Sequence, residues 1–421
     1  MKVNYDFIKN VTVIKKAAAK VNGQYGYIPK EIADAIVTAC DEVLGGKWTE
    51  HFITDAIQGG AGTTVNMNAN EVIANRATEL LGGKKGEYLC HPNDHVNHAQ
   101  STNDVIPTAG RLTVLKLADG LLENLEELIK ALMEKAQEFD GIIKMGRTQL
   151  EDAVPIRLGQ EFHAYASALK RDYKRIKNTL QEMYIVNMGG TAIGTCVNAE
   201  KSYVESIVAA LSRECGRELI KADDLIDATQ NVDAFVSVSG SLKACAVNLS
   251  KMSNDLRLMS SGPKTGFGEI TLPAKQNGSS IMPGKVNPVI PEVVSQVAFL
   301  VIGNDMTITM AAEAGQLELN AFEPVILNRL FESIICLTNV VKTFTVNCIR
   351  GIVANKKRCV DLMESSVGVV TALCPYLGYK KSAELAKEAL AKDMRIKDLI
   401  LQYDLIDPKL LEEILDPYSM T

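Results

Sequence analysis

Between residues 104 and 139, apolar side chains recur at Val114, Ala118, Leu121, Leu125, Leu128 and Leu132. The steps alternate between four and three, which keeps one face of an α-helix apolar and predicts a long helix with a bundle seam. Phe162, Tyr165, Leu169, Tyr173, Ile176, Leu180 and Met183 repeat the rhythm. Further helical runs are expected over residues 228–259, 291–314 and 324–353, where Leu, Ala, Met, Glu and Lys dominate. Helices of about 30 residues far exceed the globular average of about 11–12. That length implies a bundle, and bundles this long often associate. Gly and Pro punctuate the chain at residues 141–155, 188–195, 262–291 and 315–324, where loops are expected. The pattern divides the chain into a small helical unit (1–103), a central long-helix domain (104–357) and a small C-terminal helical unit (358–421).

A helix of about 35 residues spans roughly 50 Å. If the first long helix starts at QSTND (residues 100–104), the GRTQLEDAVP stretch (146–155) lies at its far end. Two more long helices bring GSSIMPGKVNP (278–288) to that same far end. The polar clusters therefore sit at opposite ends of one chain, and they share a pocket only if a neighbouring copy runs antiparallel. Sites built between chains are the expectation.

Composition narrows the function. The chain has 421 residues, is 47% hydrophobic, and carries a net charge of −6 with a pI near 5.6. It can fill a sizeable core, and without a long basic run it is a poor partner for nucleic acid or an anionic membrane. Any anionic ligand must be held by local positive groups. Nine scattered cysteines without a CxxC pair suggest reduced thiols and a cytoplasmic protein. The most apolar window, residues 293–310, contains Gln296, Asn304 and Asp305. It reads as too polar for a membrane span and as a helix buried on all sides.

Several polar stretches carry candidate chemistry. GSSIMPGKVNP fails the phosphate-loop pattern, because Val286 follows Lys285 and no strand precedes the segment. Its residues suit an anion clamp, with charge from Lys285, donors from Asn287, and the positive end of the helix beginning near Pro291. Ser279 and Ser280 are candidates for proton transfer. QSTND reads first as a helix cap, and GGAGTTVNMN (59–68) as a Gly-rich turn. Hydroxyls and amides beside helix N–H groups also suit a carboxylate. HPNDHVNH (91–98) holds three histidines but lacks the cysteine or glutamate that would complete a metal set. His91, Asn93 and Asp94 suit a polar loop or a secondary anion site, and no metal ligands are assigned. His51 and His163 stand alone and read as structural.

Together, GGAGTTVNMNANEVIANRA, HPNDHVN, QSTND, KMGRTQLEDAVPIRLGQEF, NMGGTAIGT, GSSIMPGKVNPVIPEVV and QLELNAFEPVI resemble the aspartase/fumarase superfamily, and within it the aspartate ammonia-lyases. The resemblance runs almost end to end, and the GSSxMPxKxNP signature is highly specific. It implies an all-α (mainly α) three-domain fold with a long central five-helix bundle. Four copies would form a homotetramer with a twenty-helix core, each site drawing loops from three subunits. It further implies a dicarboxylate substrate (L-aspartate or fumarate), no required cofactor, and Mg2+ as an activator at most.

By the same resemblance, Ser279 matches the general base. Thr63, Ser101, Thr102 and Ser280 match the groups that hold the β-carboxylate. Lys285 and Asn287 match the α-carboxylate clamp, and Asn103, Thr148 and Gln149 match positions around the leaving amine. Fumarate hydratase is the alternative within the superfamily. Gln149, a form found in aspartases where fumarases and some other aspartases place histidine, favours ammonia release. Superfamily members usually begin with a few dozen more residues, and this chain starts after them, at MKVNYDFIKN. A non-catalytic or unstable homologue is therefore the reading from another class.

Overall fold

A computed structural model describes residues 2–421 and is dominated by α-helix. Chain contacts cluster into two compact units whose limits fall inside the long helices. The first comprises residues up to Glu123, with Asp172–Ala246 and Val297–Thr338. The second comprises Asn124–Arg171, Val247–Gln296 and Asn339–Thr421.

The first unit opens with α1 (Tyr5–Tyr25) and α2 (Lys30–Leu44). Asn4 caps α1 by accepting the Asp6 and Phe7 N–H groups at 2.8 and 3.3 Å. Gly26, with φ 74°, ends that helix in the left-handed conformation. Helix α3 (Thr63–Leu80) packs its Ile73, Ala74 and Ala77 against Ile36, Ala39 and Cys40 of α2. Then comes α4 (Thr102–Glu138), 37 residues long and about 55 Å by helix geometry. All six seam residues expected from the sequence are buried.

Two features fix the start of α4. Ser101 Oγ accepts the Asn103 N–H at 3.2 Å while Asp104 Oδ1 accepts the Ser101 N–H at 3.0 Å, a reciprocal cap. Pro107 lies inside the helix and cannot donate to the Asn103 carbonyl, four residues back. The Asn187 side-chain amide takes that carbonyl instead, at 3.0 Å. α6 (Lys201–Cys215) packs on α1 in the same unit.

After α4, the stretch expected to be a loop contains a hairpin: β1 (Ile143–Thr148) pairs antiparallel with β2 (Glu151–Arg157). It leads into α5 (Leu158–Thr179). A short parallel pair, β3 (Ile185–Val186) and β4 (Ile220–Lys221), follows in the first unit. A one-turn helix, α7 (Asp227–Gln230), precedes α8 (Asp233–Met259), so the long run starts five residues later than residue 228. In the second unit, β5 (Ile270–Thr271) pairs antiparallel with β6 (Val353–Ala354). A small separate core over residues 367–415 gathers Leu373, Leu385, Leu399, Ile400 and Leu411.

Helix α9 (Val289–Glu313) corrects one expectation, because it is not buried on all sides. Its polar face is satisfied within the first unit. Asn304 donates to Glu332 and Ser333 of α10 (Glu323–Asn347), and Asp305 accepts from Ser239 and Lys243 of α8. Phe299, Ile302, Met306 and Met310 stand on another face and are exposed, Phe299, Met306 and Met310 by 62–65%. By length and apolar composition alone, α9 and residues 323–351 would each suffice to cross a membrane.

Candidate active site

Each unit holds one group of the candidate residues. In the first, the backbone turns through left-handed φ values at Gly60 (82°), Ala61 (52°) and Gly62 (87°) before α3 begins at Thr63. Glycine is needed at 62, because a Cβ there would come within 3.0 Å of Ile106. This close approach sets the start of α3 against the first turns of α4. Thr63 Oγ1 donates to the Gly60 carbonyl at 2.7 Å, and one turn on, Asn66 Nδ2 donates to Thr102 Oγ1 at 3.3 Å. The structure thus joins α3, which starts at Thr63, to the Ser101–Asn103 segment through Asn66 and Thr102. The Asn103 side chain donates to the Ala192 carbonyl at 2.7 Å.

Asp104 anchors this group from beneath. It is fully buried and accepts the Gly189 and Thr191 N–H groups at 3.1 Å as well as that of Ser101. Burial nevertheless pushes its carboxyl up to about 6, the backbone donors and Lys15 opposing the rise. Lys15, also fully buried, is drawn down to about 7 by desolvation, against the pull of Asp104. Neither residue stands out in the sequence; KKAAAK reads as an ordinary amphipathic turn, and Asp104 as a cap.

The second unit holds the remaining candidates. Thr148 and Glu151 pair at the hairpin end, so Gln149 and Leu150 form a two-residue turn with φ 55° and 68°. Both residues are exposed at the tip. Beneath the tip, Arg147 donates to Glu269 Oε1 at 2.7 Å, and Lys144 reaches Glu269 Oε2 at 3.1 Å and Glu161 Oε1 at 2.9 Å. Glu269 is completely buried. The Arg147 guanidinium also lies 4.1 Å from the Phe267 ring centre. These contacts lock the hairpin stem to residues 267–269, which lead into the serine loop.

That loop is a closed turn. Gly278 N–H donates to the Lys285 carbonyl at 2.9 Å, and Asn287 Nδ2 donates to the Gly278 carbonyl at 2.8 Å. A Cβ at Gly278 would fall 2.3 Å from the Lys285 carbonyl oxygen, so only glycine fits. Ser279 Oγ accepts two backbone N–H groups, Met282 at 2.9 Å and Ile281 at 3.2 Å. Ser279 is partly buried, whereas Ser280 and Lys285 are exposed. One closed loop therefore presents both serines, the lysine ammonium and the second hydrogen of the Asn287 amide.

His91 serves a local purpose. Its Nδ1 lies 3.3 and 3.1 Å from the Asn93 and Asp94 N–H groups and caps the π-helical turn Pro92–Val96. His95 Nδ1 in turn accepts the His91 N–H at 2.8 Å. Among the described residues, no group of three or more His, Cys, Asp or Glu side chains is placed to hold a metal ion.

Comparison with known proteins places the chain in a family. Residues 2–303 match the family model described as Lyase, and residues 369–421 match the one described as Fumarase C C-terminus. The aspartate ammonia-lyase of Bacillus subtilis is 54% identical over the whole chain, which spans 89% of that protein. That of Escherichia coli K12 is 48% identical over 97% of the chain and 86% of its own length. Among solved structures, a fumarate lyase:delta crystallin from Brucella melitensis superposes with TM-score 0.95 at 49% identity, covering 99% of this chain and 90% of its own. A class II fumarase from Schistosoma mansoni gives TM-score 0.96 at 36% identity, covering 100% and 91%.

Proposed function

Because the chain belongs to the aspartase/fumarase superfamily, and within it to the aspartate ammonia-lyases, we propose that it deaminates L-aspartate reversibly to fumarate and ammonia with Ser279 as the base. The observation that carries this reading is the environment of Ser279. A serine hydroxyl is a poor base unless its alkoxide is stabilised. Two backbone N–H groups already point at Ser279 Oγ, at 2.9 and 3.2 Å, and the Lys285 charge lies on the same loop.

In this mechanism Ser279 Oγ takes the proton from the carbon beside the β-carboxylate. The electron pair left behind spreads onto that carboxylate as a doubly charged aci-carboxylate. The pair then returns to form the double bond as the C–N bond breaks, and the amine leaves with its bonding electrons as ammonia. Fixed donors aimed at the carboxylate oxygens are the main source of rate, each strong one supplying about 3–4 kcal/mol. Thr63, Ser101, Thr102 and Ser280 take that role, Lys285 and Asn287 hold the α-carboxylate, and Asn103, Thr148 and Gln149 surround the amine. Gln149 cannot act as an imidazolium acid. An amine that departs from its protonated form needs less help than hydroxide, which supports deamination over hydration.

The 37-residue length of α4 between Thr102 and the Thr148 hairpin, about 55 Å by helix geometry, supports a site completed by other copies of the chain. The exposed apolar face of α9 supplies a surface for that association. On this reading the protein is a cytoplasmic homotetramer with sites drawn from three subunits, and a divalent cation acts only as an activator. The nine cysteines, all free, support a reducing compartment.

Incubating purified protein separately with L-aspartate and L-malate, and following fumarate by its ultraviolet absorbance, tests the function. Fumarate should form from aspartate. Formation only from malate would instead make the chain a hydratase, and formation from neither a non-catalytic homologue.

A further inference from the structure

A buried polar relay lies behind Thr102 in the first unit. The Lys15 ammonium, fully buried in α1, donates to Asn97 Oδ1 at 2.7 Å. Asn66 and Asn70, one turn apart on α3, donate to the same oxygen at 3.2 Å each. Asn97 Nδ2 closes the local turn on the Gln100 carbonyl at 3.0 Å. A carbonyl oxygen offers two lone pairs, so three donors compete for it, and the shortest and charged contact dominates. Asn66 Nδ2 carries two hydrogens. It lies within reach of Asn97 Oδ1 on one side and Thr102 Oγ1, at 3.3 Å, on the other. With an N–H directed at its oxygen, the Thr102 hydroxyl is left to donate its own proton elsewhere.

We propose that Lys15, acting through Asn97 and Asn66, is a positioning residue that fixes the Thr102 hydroxyl as a hydrogen-bond donor to the substrate carboxylate. The inference rests on the carboxylate-binding role proposed above for Thr102. Its geometry explains why a charge is buried where an apolar residue would pack more cheaply. Asp104, fully buried beside the same segment, supplies the opposing charge and holds the backbone of Ser101. The two charges therefore fix the side chain and the backbone of one short carboxylate-binding segment.

The test compares Lys15→Met and Asn66→Ala, each in the natural chain and in a Thr102→Val background. It reads kcat/KM for aspartate, and the dissociation constant of succinate, which has both carboxylates and no leaving group. Each single variant should lose roughly tenfold in kcat/KM, the scale of a lost hydrogen bond to a charged or strongly polarised group, and bind succinate more weakly. In the Thr102→Val background neither should cause further loss. Asn66→Ala leaves the Lys15–Asn97 contact in place, so the test stands even if Lys15→Met fails to fold. Losses that persist undiminished in the Thr102→Val background, or full activity in Asn66→Ala, would overturn the relay alone. A natural chain that neither binds succinate nor releases fumarate would overturn the carboxylate site itself and this role with it.

Discussion

Replacing Glu269 with glutamine isolates the link between the hairpin and the serine loop. The side chain keeps its shape and loses its charge. In the native cluster two cations, Arg147 and Lys144, face two carboxylates, Glu269 and Glu161, at 2.7–3.1 Å. Lys144 and Arg147 side chains are only 3% and 12% exposed, and Glu269 not at all. Without the Glu269 charge the buried cations keep only the Glu161 carboxylate and, 4.0 Å from Arg147, the half-exposed Asp152. Breaking a buried pair in this way costs about 3–5 kcal/mol, and the retained amide oxygen holds the loss near the lower end, about 3 kcal/mol. With a urea slope of about 3 kcal/mol/M, the unfolding midpoint should fall by about 1 M. The Glu269 backbone also donates to the Met259 carbonyl at the end of α8 and accepts the Asn355 N–H, so a slackened stem loosens the framework from which the chain runs on to the serine loop. Loss of kcat/KM should therefore accompany the loss of stability, read by urea titration and by initial rates of fumarate formation. Because Arg147 and Glu269 act as a pair, Arg147→Gln combined with Glu269→Gln should cost less than the sum of the two. An unchanged midpoint and rate in Glu269→Gln, or strict additivity in the double variant, would refute this account of the stem.

Three further outcomes follow from particular residues. Ser279→Ala should lower kcat by roughly 10³-fold, within the range expected of a general base, with the circular dichroism spectrum unchanged; a nearly active variant would remove Ser279 from its role. Glu323, fully buried, is raised by desolvation from 4.5 to about 8 against the pull of Arg111. Between those pH values the unfolded chain releases this proton and the native chain keeps it, so stability falls as pH rises through the window. The full shift corresponds to about 5 kcal/mol. Glu323→Gln should flatten that part of the stability curve between pH 5 and 8, and an unaltered pH dependence in urea titrations would contradict the assignment. Phe299→Glu places a charge on the exposed face of α9 and should shift the protein to smaller species in sedimentation, with activity lost in parallel; an unchanged assembly would exclude that face as an interface.

The parts of the fold legible in the sequence are those made by local periodicity. The four-three steps of α4 mark its buried face because the rhythm reports which side meets a core. The hairpin was hidden because Gly141, Gly146 and Pro155 read as loop punctuation, and its tip uses Gln149 and Leu150 in place of the glycine-containing pair that signals such a turn. Helix α9 looked buried all round because apolar composition alone does not say which faces a single chain covers, and Phe299, Met306 and Met310 stand exposed. The serine loop was legible in its residues, since Gly278, Ser279, Lys285 and Asn287 interact within ten positions. The supports were not. Lys15 meets Asn97 across 82 residues and Arg147 meets Glu269 across 122, and no local pattern encodes such partners.

Mixing two impaired variants tests the central claim most directly. Thr102→Val and Ser279→Ala each damage a different group of the site. If each site takes those groups from different copies of the chain, dissociating the two variants together and reassembling them will create some sites with both groups intact, and fumarate formation from aspartate will return. Mixtures no more active than the two variants measured separately, although the copies have exchanged, would contradict it.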